Sequence, residues 1–109
     1  MAWKVRYFQT SRGDYPVLNF IREQDQHTRT KTAHSIRLLI DYGPFLKPPD
    51  IKKFQDKLYE LRISGKSPIR IFYTIINGEY YLLHAFKKKT QKTPTKDLKV
   101  ALDRIKEIL

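Results

Sequence analysis

The sequence predicts an α+β fold, one domain over residues 1–109, with elements in the order β-α-α-β-β-β-α and helices packed on a twisted antiparallel sheet. Three observations carry that prediction. Residues 57–86 alternate apolar and polar side chains in three runs separated by turn signals. The second of those turns is Asn77-Gly78, the strongest short hairpin signal, because a type I′ turn needs positive φ at both central residues. Apolar residues at helical spacing flank the region on both sides.

The first strand is "WKVRYF", 3–8, where Trp3, Val5 and Tyr7 alternate with Lys4 and Arg6. "RGDY" turns the chain, and Pro16 opens a short helix, since proline is tolerated in a first turn. A second helix is expected over about 29–42, with Ala33, Ile36, Leu39 and Ile40 on its apolar stripe and Gly43-Pro44 as its stop. "PFLKPPD" reads as a proline-rich loop. The strands "KLYELRI", "IRIFYTII" and "EYYLLHAF" form an antiparallel meander with helices on one face. Thr93 is placed as N-cap of the last helix and Pro94 at its first position. Leu98, Ala101, Leu102, Ile105 and Leu109 form that helix's stripe.

Composition narrows the function classes. Twenty-two Lys and Arg against eleven Asp and Glu give +11, an excess that attracts polyanions. No cysteine is present, which excludes disulfides, thiolate zinc sites and Cys–His catalysis. No run approaches the ~18 apolar residues of a membrane span, and "MAWKVRYFQT" lacks the apolar core of a signal peptide, so a cytoplasmic location is expected.

Register then places the charges. The Asn77-Gly78 turn sets Ile76 opposite Glu79, Thr74 opposite Tyr81, Phe72 opposite Leu83 and Arg70 opposite Ala85. Keeping apolar residues on one face of the preceding hairpin sets Ile63 opposite Ile69, Leu61 opposite Ile71 and Arg62 opposite Arg70. Tyr59, Leu61, Tyr73, Leu82 and His84 then share the core face. Glu60, Arg62, Arg70, Phe72, Ala85 and Lys87 share the other. Two arginines directly across a strand pair repel each other. One reading is a cationic floor with room for a phosphate. The other is solvated surface with Glu60 neutralising the arginines. The lysine-rich run from Lys87 to Lys99 reads likewise as a phosphate rim or as a wet turn.

The catalytic inventory is sparse. His27, His34 and His84 show no metal-ligand spacing, and His84 on the core face reads first as a satisfied buried histidine. No metal site and no cofactor are expected. RNA supplies its own nucleophile in the 2′-hydroxyl. A protein need only align it, take its proton and stabilise charge on the phosphate, for which arginine forks and a cation-crowded lysine suffice.

"LYELRI", "IRIFY" and "LLHAFKKKTQKTP", followed by a short amphipathic helix, together closely resemble the phage-derived branch of the RelE/HigB toxins of type II toxin–antitoxin systems. The resemblance runs from "YPVLNFIREQD" onward. It implies a RelE-like microdomain that cleaves mRNA without metal, usually on the ribosome, and is silenced by a helix-turn-helix (HigA-like) antitoxin. By position, Arg62 and Arg70 match family arginines, with Arg70 in the place of the phosphate-binding one. Lys88 falls near a second catalytic basic position, flanked by Lys87 and Lys89. The chain departs from RelE in carrying Leu58 and Glu60 where RelE has lysines, and its C-terminal segment has no Tyr or His. The candidates for general base are therefore Lys87, Lys88, Tyr73 and His84. Lys89, Gln91, Lys92, Lys96, Lys52 and Lys53 are the expected RNA contacts. Phe72, Tyr81 and Leu83 are the expected apolar patch for the antitoxin. A non-catalytic RNA- or ribosome-binding module of phage origin is the alternative.

Overall fold

The computed structural model describes residues 2–109. Its strands are β1 (Val5–Tyr7), β2 (Ile51–Gln55), β3 (Leu58–Ile63), β4 (Ile69–Ile76) and β5 (Glu79–Lys87), and its helices are α1 (Pro16–Arg22), α2 (Gln26–Tyr42) and α3 (Thr95–Ile108). The architecture is α+β. The sheet runs β1-β5-β4-β3-β2, with β1 parallel to β5 and the other pairs antiparallel, so it is mixed rather than purely antiparallel.

β2 is an addition to the expected order. "IKKFQ" follows the proline-rich loop and pairs with β3 through a tight turn in which Lys57 takes φ 63°. α2 starts earlier than its apolar spacing indicates, because Asp25 caps it by accepting a hydrogen bond from the Thr28 N–H at 2.8 Å. Its buried stripe uses Thr32, Ile36 and Leu39, and Ala33 is exposed. Gly43 ends α2 at φ +48°, where a Cβ would run into the Trp3 ring. α3 begins at Thr95 with Pro94 as N-cap and no side-chain cap, one position later than expected.

Helices cover both faces, not one. Val17 and Ile21 of α1 and Ile36 and Leu39 of α2 pack on Leu61, Ile63, Ile69, Ile71, Tyr73, Leu82 and Ala85. Ala101 and Ile105 of α3 pack on Phe8, Leu58, Phe72, Leu83 and Phe86 on the opposite side.

The expected β3–β4 register is found, with Arg62 opposite Arg70. The β4–β5 hairpin follows expectation near its turn, then slips. Tyr73 pairs with Leu82 but Phe72 pairs with His84, leaving Leu83 as an extra residue. The bulge points both Leu83 and His84 toward α3. It then reverses every later side chain of β5. Ala85 pairs with Ile71, Phe86 with Arg70, and Lys87 with Ile69.

Candidate nucleic-acid interface

The site stands on the α3 face of β3 and β4, beyond the reach of α3. Glu60, Arg62 and Arg70 project there together. Glu60 is 1% exposed. Its Oε1 lies 3.3 Å from Arg62 Nε and 3.7 Å from Arg70 Nε. The Arg70 Nη1 group also donates to the Ile69 carbonyl at 3.0 Å. Burial lowers the Arg70 pKa below its ordinary value, Glu60 opposes that shift, and Arg62 adds to it. A guanidinium keeps its charge through such shifts, so three charged groups sit side by side with a net +1.

Glu60 therefore relieves the repulsion across the strand pair without filling the space above it. That space is a cleft of about 540 Å³ lined by Arg62, Arg70, Lys88, Lys89, Thr90 and Gln91 and walled by Pro49 and Pro68. Lys88 is fixed at its rim by a backbone hydrogen bond to the Pro68 carbonyl at 2.8 Å. The two readings of these arginines are thus both partly realised: a carboxylate pairs with them, and a cationic cleft opens above them.

The other expected residues fall differently. Lys87 does not join the floor, because the bulge turns it to the opposite face, where its charge adds the smallest part to a lowering of the Asp25 pKa caused chiefly by the Thr28 N–H hydrogen bond. Ala85 leaves the Arg70 face for the same reason, and Phe86, buried, takes the place beside Arg70. Tyr73 is buried on the α1–α2 side, stacked on Tyr59 at 5.3 Å between ring centroids, and burial raises its hydroxyl pKa. His84 is on the α3 face rather than the core face expected. Its Nε2 lies 2.6 Å from Asp97 Oδ1, and its Nδ1 lies 3.5 Å from Arg104 Nη1. Burial lowers its pKa, against the pull of Asp97 and with the help of the neighbouring cations Arg104 and Lys96. His84 thus ties β5 to α3.

Among the expected RNA contacts, Lys89 and Gln91 line the cleft. Lys92 and Lys96 are exposed and do not line it. Lys52 lies opposite Glu60 on β2, with Nζ 5.9 Å from the Phe54 ring centroid, on the arginine side. Lys53 points the other way, toward the Tyr59 ring. Phe72 and Leu83 are fully buried beneath α3, so the expected apolar docking patch is core. Tyr81 is half-buried and opens instead onto a separate cleft of about 650 Å³ between the chain after β1 and the end of α3. Pro49, Ser64, Pro68 and Thr90 are cleft residues that sequence reading missed, since small and rigid wall residues carry no chemical signature.

The geometry defines a small basic α+β domain, a RelE-like microdomain, with the part of one sheet face beyond α3 left open and cationic. The chain belongs to the family described as Phage derived protein Gp49-like (DUF891), whose model matches residues 19–106. That family is one of RelE/HigB-like toxins; the match supports a phage-derived toxin module broadly and does not single out the HigB branch. No curated protein matches the chain. No helix among the described residues is long and apolar enough to cross a membrane.

Proposed function

We propose that this protein is the toxin of a type II toxin–antitoxin system of the HigB-like branch, a metal-independent mRNA endoribonuclease acting on translating ribosomes. The observation that carries the reading is the convergence of Arg62, Arg70 and Lys88 on one open cleft. The RNA 2′-hydroxyl attacks the adjacent phosphorus while the arginines hold the non-bridging oxygens. The bond to the 5′-oxygen breaks, giving a 2′,3′-cyclic phosphate and a 5′-hydroxyl end. Lys88 is the base candidate that lines the cleft; Tyr73, His84 and Lys87 do not. Among the described residues no group of three or more His, Asp or Glu side chains gathers as a metal site would require. A helix-turn-helix antitoxin is the expected partner, with an acidic segment plugging the cationic cleft.

A second reading is a non-catalytic RNA- or ribosome-binding module. It is favoured by the absence of His, Tyr, Asp and Glu from the cleft lining and by the pairing of Glu60 with both arginines. The test is to express wild type and Arg70→Ala and map the ends of cellular mRNA. The first reading predicts new 5′-hydroxyl ends and growth arrest with wild type, and neither with Arg70→Ala. Growth arrest with intact mRNA would overturn it in favour of the second.

A further inference from the structure

We infer that an RNA strand held in the Arg62–Arg70–Lys88 cleft continues along a second, polar groove, over the β3–β4 turn and onto α2, where Lys31 and Lys66 hold the phosphates of its flanking nucleotides. The inference rests on the function proposed above and extends the substrate beyond the reacting phosphate.

The hollows on this side of the molecule adjoin one another through shared wall residues. The arginine cleft shares Arg62 and Ser64 with a hollow of about 500 Å³ that reaches Lys31 and His34 on α2. That hollow shares Lys31, Ile63 and Ser64 with a third, of about 450 Å³, at the turn carrying Gly65, Lys66 and Ser67. Arg62, Ser64 and Lys31 are thus successive common walls of one path that leaves the sheet face and rounds its end.

The charges along it are free to meet an anion. Neither Lys31 nor Lys66 takes part in an ion pair among the described residues. The Lys31 Nζ lies 3.1 Å from where a Gly65 Cβ would stand, so the lysine of α2 reaches across to the β3–β4 turn. Two acids border the path, Asp25 and Asp50. The Asp25 carboxylate is already occupied in capping α2.

The chemistry of the walls selects the ligand. The second and third hollows present lysine, serine, threonine and histidine side chains and no Phe, Tyr or Trp. Such walls suit phosphate and sugar oxygens, which position a strand without reading its bases. A protein segment would need aromatic or large apolar anchors in fitted pockets, and Leu38 and Ile63 are the only large apolar residues present. A substrate cleaved in its interior must also leave the reacting cleft on two sides, and this path is one exit.

The test uses uncleavable 2′-O-methyl RNA, a trinucleotide and a dodecanucleotide, with fluorescence-polarisation affinities for wild type, Lys31→Ala/Lys66→Ala and Arg70→Ala. Wild type should bind the dodecanucleotide more tightly. The double lysine variant should lose about tenfold on the long strand, keep its affinity for the trinucleotide, and show a log–log salt slope shallower by about 1.4, the value for two single-strand phosphates. Both lysines are on the surface, and an unchanged thermal melt checks the fold. Equal affinity of the variant and wild type for the dodecanucleotide, or equal losses on both lengths, would overturn the groove while the Arg70→Ala loss on the trinucleotide left the proposed function standing. If wild type binds neither RNA, the groove falls, while the proposed function still stands or falls on the mRNA ends mapped in cells. If a glutamate-rich peptide binds in a Lys31- and Lys66-dependent way and the dodecanucleotide does not, the groove serves a protein and the inference is wrong.

Discussion

On the face of the sheet that meets α3, Phe72, Leu83 and Phe86 lie buried under Ala101 and Ile105, whereas Arg62 and Arg70, on the same strands as neighbours of those residues, look into an open cleft. Along β3 and β4 the alternation is the same in both halves. Cover is what differs. Where α3 lies across the strands, the inward positions are aromatic and aliphatic and form a dry core. Beyond its edge the same alternation presents cations, and Glu60 stands at the boundary, buried like the first half and charged like the second. A sheet face can thus be core and binding surface within a few residues of strand. His84 marks the join, since its contacts with Asp97 and Arg104 hold α3 at the place where the core ends.

The largest effect is expected in the covered half. Phe72→Ala removes a fully buried ring that packs on Phe54 and Phe86, and should destabilise the fold by about 3–5 kcal/mol in denaturant titrations. A loss under ~1 kcal/mol would mean that this half is not sealed, and the contrast would fail.

A smaller effect is expected at the boundary. Glu60→Ala leaves Arg62 and Arg70 facing each other without a counter-charge. Breaking a buried pair costs more than this site should show, because the Arg62 side chain is 29% exposed and partly screened. A loss of about 2 kcal/mol is expected in chemical unfolding, together with tighter RNA binding and a steeper salt slope. Unchanged stability would place Glu60 with the solvated half.

The smallest effect tests the join. Burial keeps the His84 pKa below its ordinary value, so the unfolded chain takes up a proton there that the folded chain resists. The resulting stability is full above the unfolded pKa of ~6.5 and is lost as pH falls from there through the lower folded value. His84→Gln should flatten that slope in melts run across the weakly acidic range. A wild-type slope of the opposite sign would show that Asp97, not burial, governs the histidine.

Much of this was legible in the sequence because local chemistry and global pattern agreed. Asn77-Gly78 dictates its turn, and the need to bury Leu61, Ile63, Ile69 and Ile71 together forces Arg62 against Arg70. Three things were not legible, each for a physical reason. β2 is short and carries lysines at 52 and 53, which mimic a loop until β3 supplies its hydrogen bonds. The bulge in β5 lies within "YYLLHAF", where neighbouring residues are apolar and either register buries them, so the alternation signal vanishes there. That slip exchanged Lys87 for Lys88 and moved His84 and Ala85 across the sheet. The apolar reading of Phe72 and Leu83 as a docking surface failed because the helices were expected on one face of the sheet, whereas α3 covers the other.

The most direct test of the open half as the nucleic-acid face is therefore a comparison of two adjacent lysines. Lys88 lines the arginine cleft, and Lys87, one residue earlier, points to the other face of the sheet. RNA affinity is to be measured for Lys87→Ala and Lys88→Ala at one fixed, low salt concentration. Lys88→Ala should weaken binding by about tenfold or more, the worth of one charge-assisted phosphate contact, while Lys87→Ala stays close to wild type. Equal losses, or a larger loss at Lys87, would contradict the account.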